Sequence, residues 1–381
     1  MLQEFLNAKP LFYDTIDYTR MPKVYERIKE QLPSPEIIHL VGTNGKGTTG
    51  RFLASALNSL GFSVGHYTSP HILKFNERIW LNGVDVSDKA LDLAHAKLQN
   101  ILYSTESEAL SYFEYTTLFC MVIFKECDYV VMEAGLGGEH DATAVFEKIL
   151  TLVTPIAIDH EAFLGDTITQ IATTKLNAVT KEAVLAKQSF CEVYEVADTL
   201  ARKKNVTMSR VEDVVDSEDI QMIQSVTKEL DLPQYLQDNL KLAIAGLKSL
   251  GLEYKKENFS DSRLFGRVSK FRENIVVDVG HNTLAATSLL NALEGKKYVL
   301  IYNSYKDKDY KKILSILKPI IKRVEIISIE SQRGLLVEKL QTTLNELRIQ
   351  WCTYKSIESE EEYLVFGSFS VVEAFLKEFH G

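Results

Sequence analysis

The sequence has little of several things that would mark common classes of protein. It holds four cysteines in 381 residues, Cys120, Cys127, Cys191 and Cys352, and none form a close pair. Neither a disulfide framework nor a cysteine-built zinc site is expected, and reduced thiols in the cytoplasm are the natural setting. Positive charge is not in excess. Lys and Arg number 43 against 52 Asp and Glu, a net charge of −9, so the basic footprint of a nucleic-acid binder is missing. No apolar run reaches the length of a membrane span. The first residues, Met1-Leu2-Gln3-Glu4-Phe5-Leu6, lack a basic region followed by an apolar core, so no signal peptide is expected. Glycine and proline are not abundant, and no repeat or low-complexity tract is present.

What remains is ordinary globular composition, 45% hydrophobic and 25% charged, in a chain long enough for two domains. Short apolar runs alternate with helical patterns. The strand candidates are 37–41, 63–67, 129–133, 150–158 and 183–186. The helical patterns cover 48–60, 89–103, 112–125, 167–177 and 234–249. This alternation predicts an α/β fold with a mostly parallel sheet, whose ligands sit beyond the carboxyl ends of the strands. The polar stretch 255–262 reads as a linker. Beyond it come strand candidates at 275–279, 298–302, 324–329 and 364–367, with helical patterns at 283–293, 310–321 and 335–347. The expected organisation is a domain over 1–261 and a smaller α/β domain over 262–381.

The most informative segment is Ile37-Ile38-His39-Leu40-Val41-Gly42-Thr43-Asn44-Gly45-Lys46-Gly47-Thr48-Thr49. An apolar strand runs through a glycine-rich turn into a helix, the arrangement that cradles polyphosphate. Glycines let backbone N–H groups converge on phosphate oxygens, Lys46 adds a point charge, and the helix dipole favours an anion. A threonine hydroxyl, Thr48 foremost, can bind phosphate or its Mg²⁺. The pattern departs from the strict P-loop, with Leu40 where the first glycine belongs and Gly47 after the lysine.

Other strand ends carry polar groups. Glu133 closes the strand 129–133 before Gly135, Gly137 and Gly138, where a hard oxygen ligand can hold Mg²⁺. His160 ends another apolar run, either as a metal ligand or simply hydrogen-bonded, with Asp159 able to orient it. Ser69 offers a hydroxyl to a metal and Arg78 a fork to a carboxylate or phosphate, although composition alone makes 68–78 a surface loop. Lys175 reads locally as a solvated helix lysine. Asp278, His281 and Asn282 repeat the strand-then-polar pattern and can hydrogen-bond a base, a ribose or a phosphate, or serve as buried structural contacts. Arg267 sits near the expected domain join, where it can reach a nucleotide phosphate.

Together these segments resemble the folylpolyglutamate synthase/dihydrofolate synthase family, a branch of the Mur ligase superfamily. The matches run in order along nearly the whole chain: 42–48 (GTNGKGT), 68–71 (TSPH) with Glu77 and Arg78, 133–138 (EAGLGG), 141–143 (DAT), Asp159 and His160, 164–167 (LGDT), 278–282 (DVGHN), and the closing Gly367-Ser368-Phe369. The resemblance implies a P-loop-containing, Mur-ligase-like N-terminal domain and a Rossmann-like C-terminal domain, with ATP between them. It implies phosphate contacts from Asn44, Gly45, Lys46, Gly47, Thr48 and Thr49, and further ATP contacts from Arg267, Asp278, His281 and Asn282. One or two Mg²⁺ ions are implied near Ser69, Glu133 and His160, and a carbamylated Lys175 as a source of a metal-binding carboxylate. Lys46, His160 and Lys175 become the catalytic candidates. The sequence departs from the family pattern around the modified lysine, where Thr174, Leu176 and Asn177 stand in place of Glu, Ala and Gly. It departs also at Glu139 and Ala144, where Arg and Asn are usual, and at Pro155.

The reaction implied is amide formation between L-glutamate and dihydropteroate or a reduced folate. ATP phosphorylates the carboxylate, glutamate's amine attacks the acyl phosphate, and ADP and phosphate leave. Lys46, Mg²⁺ and loop amides would stabilise the transferring phosphoryl, and domain closure would exclude water. The partners expected are ATP, a pteroate or folate and L-glutamate, with no nucleic acid or membrane, for a cytoplasmic monomer. Two alternatives are a Mur-type ligase acting on a UDP-sugar peptide and a P-loop switch or motor ATPase.

Overall fold

Strand β1 (Glu36–Val41) belongs in the middle of a sheet because almost nothing along it tolerates water. Ile37, Ile38, Leu40 and Val41 are all buried, as is His39 between them. A strand covered on both faces is what a parallel sheet flanked by helices requires. The computed structural model describes residues 1–9 and 17–380. The chain divides into two compact units, one of residues 1–232 and 236–263, the other of 233–235 and 264–381.

The first unit is built on an eight-stranded sheet of β1, β2 (Val64–Tyr67), β3 (Ile79–Leu81), β4 (Val84–Asp85), β5 (Tyr129–Glu133), β6 (Leu150–Val153), β7 (Glu182–Leu185) and β8 (Thr207–Arg210). Their order is β4-β3-β2-β5-β1-β6-β7-β8. From β2 to β8 neighbours run parallel, while β3 and β4 turn back antiparallel at one edge. Leu40 lies level with Glu133 on one side and with Leu152 on the other. The loops after β1, β5 and β6 therefore leave the sheet at one height. The helix Lys46–Ser59 packs on this sheet. A large apolar cluster, including Tyr115, Phe119 and Phe124 with Val130 and Met132, fills one region; a second gathers Val153, Ile171, Leu176 and Leu185.

The second unit holds β9 (Ser269–Arg272), β10 (Ile275–Val277), β11 (Tyr298–Tyr302), β12 (Ile321–Ile326), β13 (Trp351–Thr353) and β14 (Tyr363–Phe366), in the order β13-β12-β11-β14-β10-β9. All pairs are parallel except β9 with β10. The turn at Gly367-Ser368 leads into the helix Phe369–His380. Among the described residues, no helix is long and apolar enough to cross a membrane.

Two differences from the sequence pattern have physical causes. The apolar run 150–158 stops being strand at Val153, because Pro155 has no amide to donate and its carbonyl instead accepts the Thr43 amide at 2.9 Å. The polar stretch 255–262 is not a free linker. It forms a short turn (Lys256–Phe259) docked on the helix Lys46–Ser59, with Phe259 fully buried and the Asn258 amide donating to Ser59 Oγ at 3.0 Å. The boundary between units falls between Arg263 and Leu264, and residues 233–235 group with the second unit.

Candidate active site

The glycine turn after β1 has its shape because two positions admit no side chain. Gly42 has φ of 141°, and a Cβ there would stand 2.0 Å from Thr154 Oγ1. Gly45 has φ of 93° and caps the helix Lys46–Ser59; its Cβ would meet Asn239 Oδ1 at 2.5 Å. These are left-handed conformations that glycine alone adopts cheaply. Thr43 ties the turn down by exchanging hydrogen bonds with Ala157, its hydroxyl donating to the carbonyl at 3.1 Å and accepting from the amide at 3.0 Å. Lys46 Nζ donates to the carbonyls of Gly42 and Thr43 at 3.2 and 3.3 Å and lies 3.7 Å from Glu133 Oε1.

Thr48 and Thr49 sit deeper than their sequence position suggests. Thr48 is buried, its hydroxyl donating to Gly45 O at 3.0 Å and accepting from Asn239 Nδ2 at 2.6 Å. Thr49 is fully buried and its hydroxyl has no partner. Asn239 supports this turn at Gly45 and Thr48, yet it lies on the helix Gln234–Ser249, far away in sequence, and no local pattern singles it out.

Glu133 is buried at the end of β5 and collects donors from the loop after β2. Its Oε2 accepts the Thr68 hydroxyl and, at 3.2 Å, the Ser69 amide. The loop that composition alone makes a surface turn is thus fastened at one end to the site. Glu77 fastens the other by accepting the amides of Ile72, Leu73 and Lys74 at 2.7 to 2.8 Å. Arg78 is not an open fork. It is buried, with Nε donating to His71 Nδ1 at 2.8 Å and the guanidinium 5.3 Å from the Tyr112 ring centre. Burial and the Arg78 charge hold the His71 pKa down at about 4.

Lys175 is the largest departure from a local reading. It lies on the helix Ile168–Leu176 and is buried, and its Nζ donates to Gly42 O at 2.8 Å. Burial first, and the Lys46 charge second, draw its pKa down to about 7, against the opposing pull of Asp159 and Asp141. The helix fits closely to the second glycine loop, since a Cβ on Gly138 would lie 2.6 Å from Lys175 O. His160 has φ of 55° and opens the short helix Glu161–Leu164, with its amide donating to Asp159 Oδ1 at 2.9 Å. Gly42, Lys46, Gly137, Asp159, His160 and Lys175 all line one small cleft, with Glu133 beside Lys46 and Ser69 on Glu133.

Whether this site suits a divalent cation is decided by its donors. Among the described residues, no three of His, Cys, Asp and Glu come together as a metal cage. The available set is two carboxylates, Glu133 and Asp159, a serine hydroxyl and an imidazole. That suits Mg²⁺, which keeps waters and substrate phosphate oxygens and takes only one or two protein ligands.

In the second unit, Asp278 follows β10 and is buried. Its Oδ1 accepts the Gly280 amide at 2.7 Å, and its Oδ2 accepts the Val268 amide at 3.0 Å and the Tyr235 hydroxyl at 3.1 Å. Burial pushes its pKa up, opposed by the Arg267 charge. Arg267 donates to Gly266 O at 3.0 Å and lies 5.4 Å from the Phe369 ring centre. His281 Nδ1 is 3.4 Å from Val279 O, and Asn282 caps the helix Thr283–Ala292 by accepting the Ala285 amide at 2.9 Å. The structure brings these four residues to the neighbourhood of one strand end. Tyr235, which joins them, gave no sequence signal.

No family model matches the chain. The dihydrofolate synthase/folylpolyglutamate synthase of Haemophilus influenzae is 30% identical, over 93% of this chain and 92% of its own length. Among solved structures, Helicobacter pylori folylpolyglutamate synthetase matches with a TM-score of 0.81 and 36% identity, covering 100% of this chain and 98% of that one. Escherichia coli FolC in complex with DHPP and ADP matches with a TM-score of 0.82 and 26% identity, covering 100% and 97%.

Proposed function

The chain belongs to the dihydrofolate synthase/folylpolyglutamate synthase family, and from that premise we propose that it is an ATP-dependent ligase adding L-glutamate to dihydropteroate, to a reduced folate, or to both. The observation that carries this reading is the placement of Lys46. It stands at a helix N-terminus, between two loop carbonyls and 3.7 Å from Glu133, with the buried Lys175 amine on the same carbonyl of Gly42.

A carboxylate is a poor acyl donor in water. Transfer of the γ-phosphoryl group of ATP to it gives an acyl phosphate and ADP. The amine of glutamate then attacks the acyl carbon, and the tetrahedral intermediate expels phosphate. Lys46 and the amides of 45–47 meet the charge on the transferring phosphoryl group. Ser69 and Glu133, with His160 for a second ion, would hold Mg²⁺, which when bound neutralises phosphate oxygens. Thr48, with its hydroxyl engaged by Asn239 and Gly45, shapes the turn, and Thr49 supports it from the interior. We assign the P-loop chemistry to the unit that holds β1, and a nucleotide-facing role in the second unit to Arg267, His281 and Asn282, with Asp278, whose two oxygens are both engaged, holding the loop that presents them. Lys175 with its pKa near 7 holds a large neutral fraction at neutral pH. The neutral amine is the form that adds CO₂, losing a proton to give the carbamate. The working unit is one chain in the cytoplasm.

The test is phosphate release from ATP and Mg²⁺ with glutamate, comparing dihydropteroate, tetrahydrofolate and no acceptor, with mass spectrometry of the products. A product heavier by one glutamyl residue supports the ligase, and the productive acceptor names the step. Turnover of a UDP-sugar peptide instead, or acceptor-independent hydrolysis without a new amide, overturns it.

A further inference from the structure

Behind the second glycine loop runs a chain of buried side-chain hydrogen bonds that takes no part in the chemistry described so far. It begins at His39 in the middle of β1, fully buried, whose Nε2 is 2.7 Å from Thr143 Oγ1. The Thr143 hydroxyl donates to Asp141 Oδ1 at 2.5 Å, and the Thr143 amide reaches the same oxygen at 3.0 Å. Asp141 Oδ2 accepts the amide of Leu136 at 2.8 Å. Leu136 lies in the glycine loop that lines the cleft with Lys46 and Lys175.

The donors fix the direction of the chain. Thr143 has one hydroxyl proton and gives it to the carboxylate, so towards His39 it can only accept. The Nε2 of His39 therefore carries the proton. The other ring nitrogen leads to the same assignment. His39 Nδ1 has no hydrogen-bond partner, and neither has the hydroxyl of Thr151, level with it on β6. A buried N–H left unpaired costs its full desolvation, so the proton belongs on the nitrogen that has an acceptor. Burial and the nearby Lys148 charge hold the His39 pKa far down, which leaves the ring a single proton to place.

We propose that His39 is a positioning residue: as a neutral Nε2–H donor it acts through Thr143 and Asp141 on the Leu136 amide, and so sets the glycine loop 135–138 against the cleft. The kinetic consequence rests on the ligase reading above; the tautomer and the anchoring of Leu136 do not.

The test uses the full chain with ¹⁵N-labelled histidine and four variants. His39→Gln keeps a nitrogen donor near the position of Nε2, His39→Phe removes it, Thr143→Ser keeps the hydroxyl and Thr143→Val removes it. The wild type is expected to show a neutral ring protonated at Nε2, with that signal absent from both His39 variants. Amide exchange at Leu136 is expected to accelerate about tenfold or more in His39→Phe and Thr143→Val and to stay within about threefold in the two conservative variants. With ligase activity, kcat is expected to follow the same split, about tenfold against threefold, with a smaller change in KM for ATP. If His39→Phe does not fold, the Thr143 pair decides. A ring protonated at Nδ1, or conservative variants as impaired as the deletions at equal thermal stability, overturns the proposal. Should the wild type form no amide at all, the ligase reading fails, while ring protonation and Leu136 exchange still decide this one.

Discussion

Glu133 and Asp278 each close an apolar parallel strand with a buried carboxylate, one in each unit, and each is followed within two residues by glycine. Their surroundings differ. Glu133 receives a hydroxyl from Thr68 and a single backbone amide from Ser69 on one oxygen, while the other faces the Lys46 ammonium at 3.7 Å. Asp278 has a backbone amide on each oxygen and the Tyr235 hydroxyl besides. The first arrangement leaves charge directed at a lysine that a ligand can claim. The second ties the carboxylate into the folding of its own loop. A carboxylate at a strand end is therefore a ligand-facing group or a scaffold according to what donates to it.

The largest effect that tests this contrast is on the Glu133 side. Lys46→Met and Glu133→Gln are each expected to lower the rate of ADP formation by about 10³-fold, the scale of removing a charge aimed at a transition state. Thermal stability should move by only a few degrees. Losing stability while keeping the rate would place Glu133 in the scaffold class with Asp278. A second large effect concerns the turn itself. Gly42→Ala must put a Cβ 2.0 Å from Thr154 Oγ1 and 2.8 Å from its carbonyl oxygen at φ of 141°. A melting temperature lowered by about 10 °C or failure to fold is expected, since strain and overpacking each cost about 1–3 kcal/mol. Gly251, with φ of 69° and nothing within 4 Å of a Cβ, is the control, expected to lose only about 1 kcal/mol.

Much of this was legible in the sequence, for reasons that can be named. The strands 129–133 and 298–302 coincide with β5 and β11, because an uninterrupted apolar run bounded by polar residues has little other use in an α/β fold. The turn 42–49 was readable because glycine spacing encodes backbone shape. The short strands β3, β4, β9 and β13, at or next to a sheet edge, were not read, since two to four residues carry no period, and β8 is mostly polar. Lys175 was misjudged locally because burial is a property of packing: nothing in Thr173-Thr174-Lys175 announces that the helix will press its lysine onto Gly42 O. Asn239 and Tyr235 were invisible for the same reason, each acting on residues far away in the chain.

Lys175 extends the contrast to a cation. Its folded pKa is about 7, below the usual 10.5, so between those values the unfolded chain binds a proton that the folded chain has released. Stability then rises with pH across that window, and below it the cost of burying the charge is fully present. The melting temperature of the wild type minus that of Lys175→Met should therefore become more positive from pH 6.5 to pH 8.5. A flat difference would mean that the buried ammonium is compensated by its fixed partners.

The smallest expected effect is also the closest comparison, because it makes one deletion at two carboxylates. Thr68→Val removes the hydroxyl that donates to Glu133, and Tyr235→Phe removes the one that donates to Asp278. A hydrogen bond to a charged group contributes about 1.5–3 kcal/mol, and a partner left short of one donor recovers part of that from the others. Asp278 keeps two amides, so Tyr235→Phe is expected to cost about 1 kcal/mol of stability in denaturant unfolding and to leave kcat within about twofold. Glu133 keeps one amide and Lys46. Deleting its hydroxyl lets the carboxylate turn towards the lysine, so Thr68→Val is expected to lower kcat about fivefold at nearly unchanged stability. Equal losses of stability with no kinetic difference would show that the two carboxylates are the same kind of group, and that the donors around Glu133 serve its loop as those around Asp278 do.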